Sequence, residues 1–317
     1  MDRNRKILLS ILALLVLAVV LAIIDISLTM QSPSRRVRSI SSSSIAPGVG
    51  VVRISGPIEF AGPADNPFMP RQGAESVLKR LDELMADSRI KAIVVRINSP
   101  GGTVAATQEI FQKLMKARKG NMVLVASMGD VAASGGYYAA SACGFIMANP
   151  GTLTGSIGVI AVSPNLKGLF EKLGIRMTVI KSGRYKDLLS SFRDLGEDER
   201  LLLQQMIDST YKRFLKDVSL GRNVPISDIE PVADGRVMTG EAALGAKLID
   251  GIGGFEEALE KARKMAKLPD DAPVYDDVRS PIEQLFMSVE GAIGRRPALH
   301  DMVPLPKHHL LEYRFLP

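Results

Sequence analysis

The fold is decided by residues 91–127, which read KAIVVRINSPGGTVAATQEIFQKLMKARKGNMVLVAS. An apolar, β-branched run at 91–98 ends at a pair of glycines, a helical pattern fills 103–117, and a second apolar run follows at 122–127. Two strands joined by a helix form a right-handed crossover between parallel strands. Near-continuous apolar runs are typical of such strands, because helices cover both of their faces.

The same alternation continues along the rest of the chain. The patterns predict further strands at 50–55, 145–148, 157–162 and 177–181, and further helices at 72–86, 131–142, 166–173 and 197–220. Strands and helices that alternate at a spacing of about 30 residues indicate an α/β fold with a mostly parallel sheet. From about residue 269 the pattern gives way to Pro-rich sequence with one short amphipathic helix, predicted at 282–293.

An apolar segment precedes this body. Residues 7–24 carry no charge and would span about 27 Å as a helix, enough for a thin membrane. Arg3, Arg5 and Lys6 come directly before it, so the positive-inside rule places the N-terminus in the cytoplasm. A cleaved signal peptide would have an apolar region of about 7–15 residues followed by a small-residue cleavage site. Neither feature is present, and we expect an uncleaved single-pass anchor with the body outside.

The charge of the chain argues against nucleic acid as a partner. The 317 residues carry a net charge of +6. Six basic and two acidic groups lie in residues 1–45, which leaves only +2 for residues 46–317. The basic excess therefore belongs to the membrane-side segment, and no basic face is expected on the body.

The numbers and positions of the cysteines and histidines limit the kinds of active site that the chain can form. The single cysteine, Cys143, excludes an internal disulfide framework and a CxxC motif. All three histidines lie near the C-terminus, at 300, 308 and 309, so a Ser-His-Asp triad or a histidine metal site in mid-chain is excluded. The glycine-rich loops match neither the phosphate-binding motif G-x-x-x-x-G-K-[ST] nor the dinucleotide-binding motif G-x-G-x-x-G. We expect no metal and no cofactor.

Three loops that follow predicted strands are candidates for a site, because ligands bind beyond the carboxyl ends of parallel strands. These loops are NSPGG at 98–102, GDVAASGGYY at 129–138 and GTLTGSIG at 151–158. The second places Ser134 near the start of a helix, where free N–H groups stabilise developing negative charge.

A nucleophilic serine also needs a base. No histidine is available, which leaves lysine, aspartate or glutamate. Lys186 follows the strand predicted at 177–181 and is therefore expected at the same sheet edge as Ser134. From the residues alone two plainer interpretations stay open: Ser134 as a helix cap or packing residue, and Lys186 as a surface lysine paired with Asp187.

Five segments, in order and with matching spacing, resemble the bacterial signal peptide peptidase (SppA, or protease IV) family. They are NSPGG (98–102), SMGDVAASGGYYAASA (127–142), TLTGSIGV (152–159), SGRYKDLLSSFRDL (182–195) and ADGRVMTGEAALGAKLIDGIGG (233–254). The resemblance covers about residues 48–268 and follows the short, single-repeat form of the family. It implies a crotonase-like fold of repeated ββα units, shared with Clp protease.

The resemblance also implies roles for individual residues. Ser134 matches the nucleophile and Lys186 the general base of a Ser–Lys dyad. The backbone N–H groups of Gly101 and Gly135 would form the oxyanion hole, and Ser156 would hydrogen-bond the lysine amine. The family further implies a homo-oligomeric ring in which a neighbouring subunit supplies the lysine.

The chain is thus expected to have four parts, namely a cytoplasmic N-terminus with the anchor (1–25), a Ser-rich linker (26–47), a Ser–Lys peptidase domain (48–268) and a C-terminal tail (269–317). We expect a membrane-anchored serine endopeptidase that degrades remnant signal peptides and other apolar peptides at the outer side of the cytoplasmic membrane. Its partners would be those peptides, further copies of itself and membrane lipid.

Three alternatives remain. A related Ser–Lys protease would act on intact membrane proteins. A crotonase-type acyl-CoA enzyme would share the fold, but it gives no reason for the anchor or for Lys186. A non-catalytic scaffold would have lost Ser134 or Lys186, and both are present.

Overall fold

A computed structural model describes residues 46–60 and 73–276, together with the backbone of 312–314. The strands are β1 (Gly48–Ser55), β2 (Ile90–Ser99), β3 (Gly101–Thr103), β4 (Val123–Ala133), β5 (Phe145–Ala148), β6 (Leu153–Gly155), β7 (Val237–Thr239), β8 (Gly251–Ile252), β9 (Val274–Tyr275) and β10 (Glu312–Arg314). The helices are α1 (Ala74–Ala86), α2 (Val104–Lys119), α3 (Gly135–Ser141), α4 (Lys167–Lys172), α5 (Glu197–Arg222), α6 (Ile226–Ile229), α7 (Gly240–Gly245) and α8 (Phe255–Met265).

Two predicted features cannot be compared with these elements. The anchor expected at 7–24 and the helix expected at 282–293 lie outside the described residues. Among the helices that are described, none combines the length and the apolar character needed to cross a membrane.

Among the described residues the main sheet has eight strands, with β7, β6, β4, β2, β1 and β9 as neighbours in that order, while β5 pairs with β4 and β8 pairs with β5. Its strand pairs are parallel except for β6 with β7. Val51, Val94 and Val125 lie side by side across β1, β2 and β4. The prediction of an α/β fold with a mostly parallel sheet is confirmed.

On the side away from β2, the strand β4 pairs with two different strands. Part of its first half pairs with β5, and its last three residues pair with β6. This last part of β4 leads directly to Ser134.

Helices cover both faces of the sheet, which explains the near-continuous apolar strands. Along β2, Ile93, Val95 and Ile97 face the core formed with α1, α2 and α3. The alternate residues Ala92 and Val94 face a smaller core formed with α8. Each such isoleucine or valine contributes about 1.5–3 kcal/mol through burial.

The helix predicted at 131–142 is wrong in its first part. Residues 131–133 are extended because their backbone pairs with β6, and the helix α3 begins only at Gly135. The small residues in this segment fit either conformation, and the neighbouring strand decides between them.

Two predicted strands are not formed as expected. At 157–162 the chain is largely irregular, because Gly155 and Ser156 have φ angles of 79° and 50° and turn the backbone just before it. The segment 177–181 is irregular as well, and Ile180 is 96% exposed. No described strand pairs with that segment.

Candidate active site

Ser134 is the single residue between the strand β4 and the helix α3. Its φ and ψ angles are 53° and −114°, in a region that a residue with a Cβ atom rarely adopts. The neighbouring backbone holds it there: its N–H donates to the Gly155 carbonyl at 2.8 Å, and its own carbonyl accepts from Tyr138 at 2.9 Å. A sharp, strained strand-to-helix turn of this kind presents a nucleophilic serine at the end of a sheet.

The hydroxyl of Ser134 is sheltered and not engaged. The residue is only 1% exposed, and within the described part of the chain its hydroxyl makes no hydrogen bond. The next residue, Gly135, begins α3, so its N–H has no acceptor inside the helix. A hydroxyl and a donor of this kind lie side by side in sites for acyl transfer.

Close packing fixes the position of α3. A Cβ atom at Gly136 would lie 2.8 Å from the Ser99 carbonyl oxygen, so only glycine allows the helix to approach the end of β2 this closely. The Tyr137 hydroxyl donates to the Leu248 carbonyl at 2.9 Å, and the Tyr138 ring stacks on Phe214 at 4.5 Å between centroids. Both tyrosines are fully buried and serve as packing residues.

Gly101 lies at the start of β3 with a φ of 101°, a conformation that glycine adopts readily. Its N–H donates to the hydroxyl of Ser99 at 3.1 Å. The amide that was expected in the oxyanion hole thus has a partner within the chain. Ser99 belongs to the NSPGG segment, but nothing in the sequence indicates this hydrogen bond.

Ser156 lies near Ser134 through the strand β6. It follows Gly155, whose carbonyl accepts the N–H of Ser134, and its own N–H donates to the Arg236 carbonyl at 2.7 Å. Ser156 is 8% exposed. The ends of β2, β4 and β6 therefore bring four of the five expected residues, Gly101, Ser134, Gly135 and Ser156, to one region.

Lys186 is the fifth expected residue, and it is placed differently. It lies exposed in a series of turns between residues 183 and 190. No hydrogen bond among the described residues joins it to Ser134 or to Ser156. Within one chain, the structure does not bring the proposed base to the proposed nucleophile.

The plainer interpretation of Lys186, a surface lysine paired with Asp187, does not describe this structure. The Asp187 carboxylate accepts hydrogen bonds from Lys181 and Arg193. The side chain of Asp187 is 12% exposed, whereas Lys186 is an exposed residue. Among the described residues no ion pair joins the Lys186 amine to the Asp187 carboxylate.

The edge of β3 carries a second strand. Residues 312–314 form β10, which pairs antiparallel with β3 and places residue 314 opposite Gly101. Extended backbone from the C-terminal region therefore lies beside the glycine expected in the oxyanion hole. No sequence pattern predicts this pair, because it joins segments about 210 residues apart.

The one cysteine is not a competing nucleophile. Cys143 is 1% exposed, and burial raises the pKa of its thiol to about 12. A thiol in that state holds its proton at neutral pH. Cys143 is therefore a buried structural residue.

Two protein-family models match the chain. The model of peptidase family S49 matches residues 116–269, which include Ser134, Ser156 and Lys186. The Clp protease model matches residues 68–150, which include Gly101. The second match agrees with a Clp-protease-like domain within the mixed α/β fold.

Similar proteins are found among curated sequences. A protein of Synechocystis sp. named "Putative protease" is 44% identical over 207 residues, which are 65% of this chain and 74% of that protein. The "Putative signal peptide peptidase SppA" of Enterococcus faecium is 36% identical over 62% of this chain and 57% of its own length. Protease 4 of Salmonella typhi is 32% identical over 74% of this chain, which spans 38% of that longer protein. The chain belongs to peptidase family S49 and is a serine peptidase similar to SppA and protease 4.

Proposed function

We propose that the chain is a membrane-anchored endopeptidase with a Ser134–Lys186 dyad that degrades remnant signal peptides and other apolar peptides. The observation that carries this proposal is the turn at Ser134, where the Ser134 hydroxyl and the neighbouring N–H of Gly135 have no hydrogen-bond partner among the described residues. Such a pair supplies the nucleophile and one oxyanion donor of an acyl-transfer reaction.

The chemical steps follow from this pair and a neutral lysine. The Lys186 amine takes the proton of the Ser134 hydroxyl while Oγ attacks the peptide carbonyl carbon, and the carbonyl oxygen becomes negatively charged. The Gly135 N–H donates to that oxygen. The lysine then gives its proton to the leaving amine, the C–N bond breaks, and an acyl-serine remains. Water activated by the same amine hydrolyses this ester.

Gly101 requires a change of partner to act as the second oxyanion donor. Its N–H donates to Ser99 in this structure, so it would exchange that hydroxyl for the substrate oxygen. In this exchange the Ser99 hydroxyl loses a donor while the Gly101 amide keeps an acceptor, whereas an amide left without a partner would cost about 1–3 kcal/mol.

The surface around Lys186 supports assembly into a homo-oligomer in which a neighbouring subunit supplies the lysine. Between residues 162 and 195 several large apolar side chains are exposed, among them Val162, Leu173 and Ile180 at 59, 61 and 96%. So many exposed large apolar side chains in one segment are typical of a surface that another protein covers. The same segment carries Lys186, so covering it with another subunit would also bury the lysine.

Complementation tests this arrangement. Chains with Ser134→Ala and chains with Lys186→Ala should each be inactive, and mixed oligomers should regain activity. Random equal mixing pairs an intact serine with an intact lysine at about a quarter of the interfaces, so about a quarter of wild-type activity is expected. Activity near zero in oligomers verified to contain both chains would argue that the dyad forms within one chain.

The edge of β3 supports the way in which a substrate would bind. Because β10 pairs antiparallel with β3 next to Gly101, this edge accepts an extended backbone. We propose that a substrate peptide takes the position of β10, with its main chain hydrogen-bonded to β3 and its small or apolar side chains packed against the surface beside this strand.

Removal of β10 should therefore improve access to the site. Deleting residues 312–317 should raise kcat/KM for a fluorogenic apolar peptide by about two- to tenfold, because a tethered competitor is lost. Tyr313→Pro keeps the length of the chain but removes the N–H of the residue paired with Gly102, and should act in the same direction. An unchanged or lower kcat/KM in both variants would place the substrate elsewhere.

The location of the enzyme is proposed from the sequence. The apolar segment 7–24 and the basic residues before it favour a single-pass anchor with a cytoplasmic N-terminus and an extracytoplasmic catalytic domain. In this position the membrane lipid would hold the enzyme where signal peptides remain after cleavage of secreted proteins.

A further inference from the structure

A cluster of charged side chains lies next to Lys186, and the proposed mechanism does not use it. It consists of Lys181, Asp187, Arg193 and Glu199. The guanidinium of Arg193 lies at its centre, between the two carboxylates. We call this group the Arg193 cluster.

Arg193 binds both carboxylates through two hydrogen bonds each. Its Nε and Nη2 donate to the Asp187 carboxylate, both at 2.9 Å, and Nη2 also donates to the Asp187 backbone carbonyl at 3.2 Å. Its Nη1 and Nη2 donate to Glu199 at 2.7 and 2.6 Å. Paired contacts of this kind fix geometry as well as charge, and a lysine at this position could not reproduce them.

The cluster attaches the turn that carries Lys186 to a long helix. Glu199 lies in the first turn of α5 and also accepts the N–H of Gly196 at 2.9 Å. A second contact, Arg184 to Asp198 at 2.5 Å, joins the same turn to the same end of α5. The backbone on both sides of Lys186 is thus held against the start of a 26-residue helix.

The carboxylates of the cluster are strongly stabilised in their ionised form. Hydrogen bonds from Arg193 and then Lys181 hold the pKa of Asp187 well below its usual range. Arg193 likewise lowers the pKa of Glu199 to about 2. Asp187 therefore stays negatively charged near neutral pH. Its effect on Lys186 then depends on where the carboxylate points and on which cations lie beside it.

This charge matters because Asp187 is the neighbour of Lys186 in the chain. Adjacent Cα atoms are about 3.8 Å apart, so a carboxylate turned toward the amine would favour its protonated form. The groups that face Asp187 in the structure are Lys181 and Arg193, with Glu199 behind the guanidinium. Two cations therefore hold and neutralise the carboxylate.

We infer that Arg193 is a positioning residue for Lys186: it keeps the Asp187 carboxylate away from the amine and fixes the lysine-bearing turn to α5. This inference rests on the proposed role of Lys186 as the general base. It assigns to Arg193 the task of keeping that base able to lose its proton near neutral pH.

The test is the pH profile of kcat/KM for a fluorogenic peptide, measured with the full-length protein. Arg193→Gln should move the midpoint of the rising limb upward by about half to one pH unit, the effect of one partly solvated charge. Activity at pH 7 should fall by about 3–10-fold and should largely return at higher pH. Adding Asp187→Asn to Arg193→Gln should bring the midpoint back to near the wild-type value, because the carboxylate next to Lys186 is then gone and the remaining charges of the cluster, Lys181 and Glu199, have opposite signs.

The matched control is Arg89→Gln. It removes another bidentate Arg–Asp pair, in which Arg89 binds Asp87 at 2.6 Å just before the first residue of β2, and it should leave the profile unchanged. An unchanged midpoint in Arg193→Gln, or an equal loss at every pH that Asp187→Asn does not rescue, would overturn the inference. Activity retained in Lys186→Ala would instead remove the lysine from the mechanism, and with it the proposed function itself.

Discussion

Replacing Lys186 by arginine should abolish peptidase activity as completely as replacing it by alanine. A general base must be neutral to accept the proton of Ser134, and a guanidinium keeps its proton throughout the accessible pH range. Charge and side-chain length are nearly retained in this variant, so its failure would isolate the need for proton transfer. In the wild-type enzyme, activity should rise with pH as the lysine loses its proton.

Steady-state hydrolysis of a fluorogenic apolar peptide between about pH 6 and pH 10 measures this effect. Circular dichroism and gel filtration of Lys186→Arg serve as controls for folding and assembly. Substantial activity in a folded, assembled Lys186→Arg protein would show that another group takes the proton.

Ser134→Ala should lower kcat by about 10⁴-fold or more, because loss of a nucleophile leaves only binding and oxyanion stabilisation. The fold should survive. Alanine and serine tolerate the φ of 53° about equally, and the backbone hydrogen bonds to Gly155 and Tyr138 do not involve the hydroxyl.

Ser76→Ala provides the comparison for that variant. Ser76 donates to the Gly73 carbonyl at 2.7 Å on the exposed start of α1, far along the chain from the proposed dyad. Its loss should leave kcat unchanged. An equal loss in both variants would indicate general damage, and a Ser134→Ala protein with near wild-type kcat would exclude Ser134 as the nucleophile.

The central strands could be predicted from the sequence, and the edge strands could not. The strands β2 and β4 are buried on both faces, so their apolar runs mark them whatever lies beside them. The strands β8 and β9 contain two residues each and pair with segments distant in sequence. So short a run carries no periodic pattern, and only the tertiary pairing creates it.

The segment 177–181 shows a different limit. Its apolar side chains predict that the segment is buried against another surface. An apolar pattern does not show whether that surface belongs to the same chain. In the single chain Met177 and Val179 are about half exposed, at 51 and 49%. The prediction of a strand assumed a partner within the chain, and the described residues supply none.

For the candidate site, the sequence predicted which residues come together better than it predicted the hydrogen bonds between them. The motif match identified Ser134, and the loops at the ends of β2, β4 and β6 do converge on it. The positive φ of Ser134 depends on Gly155 and Tyr138, and the hydrogen bond between Gly101 and Ser99 depends on the exact path of a turn. The link from Arg193 to Asp187 and Glu199 follows from the way the chain folds back onto α5, which no local pattern specifies.

Whether Ser134 is the nucleophile can be decided by treating the purified full-length protein with a fluorophosphonate probe and locating the adduct by peptide mass spectrometry. We predict one adduct, on the peptide that contains Ser134. It should be absent from Ser134→Ala and should form much more slowly in Lys186→Ala, because the hydroxyl then has no base to take its proton. An adduct on another residue, or labelling that persists in Ser134→Ala, would contradict a Ser134–Lys186 mechanism.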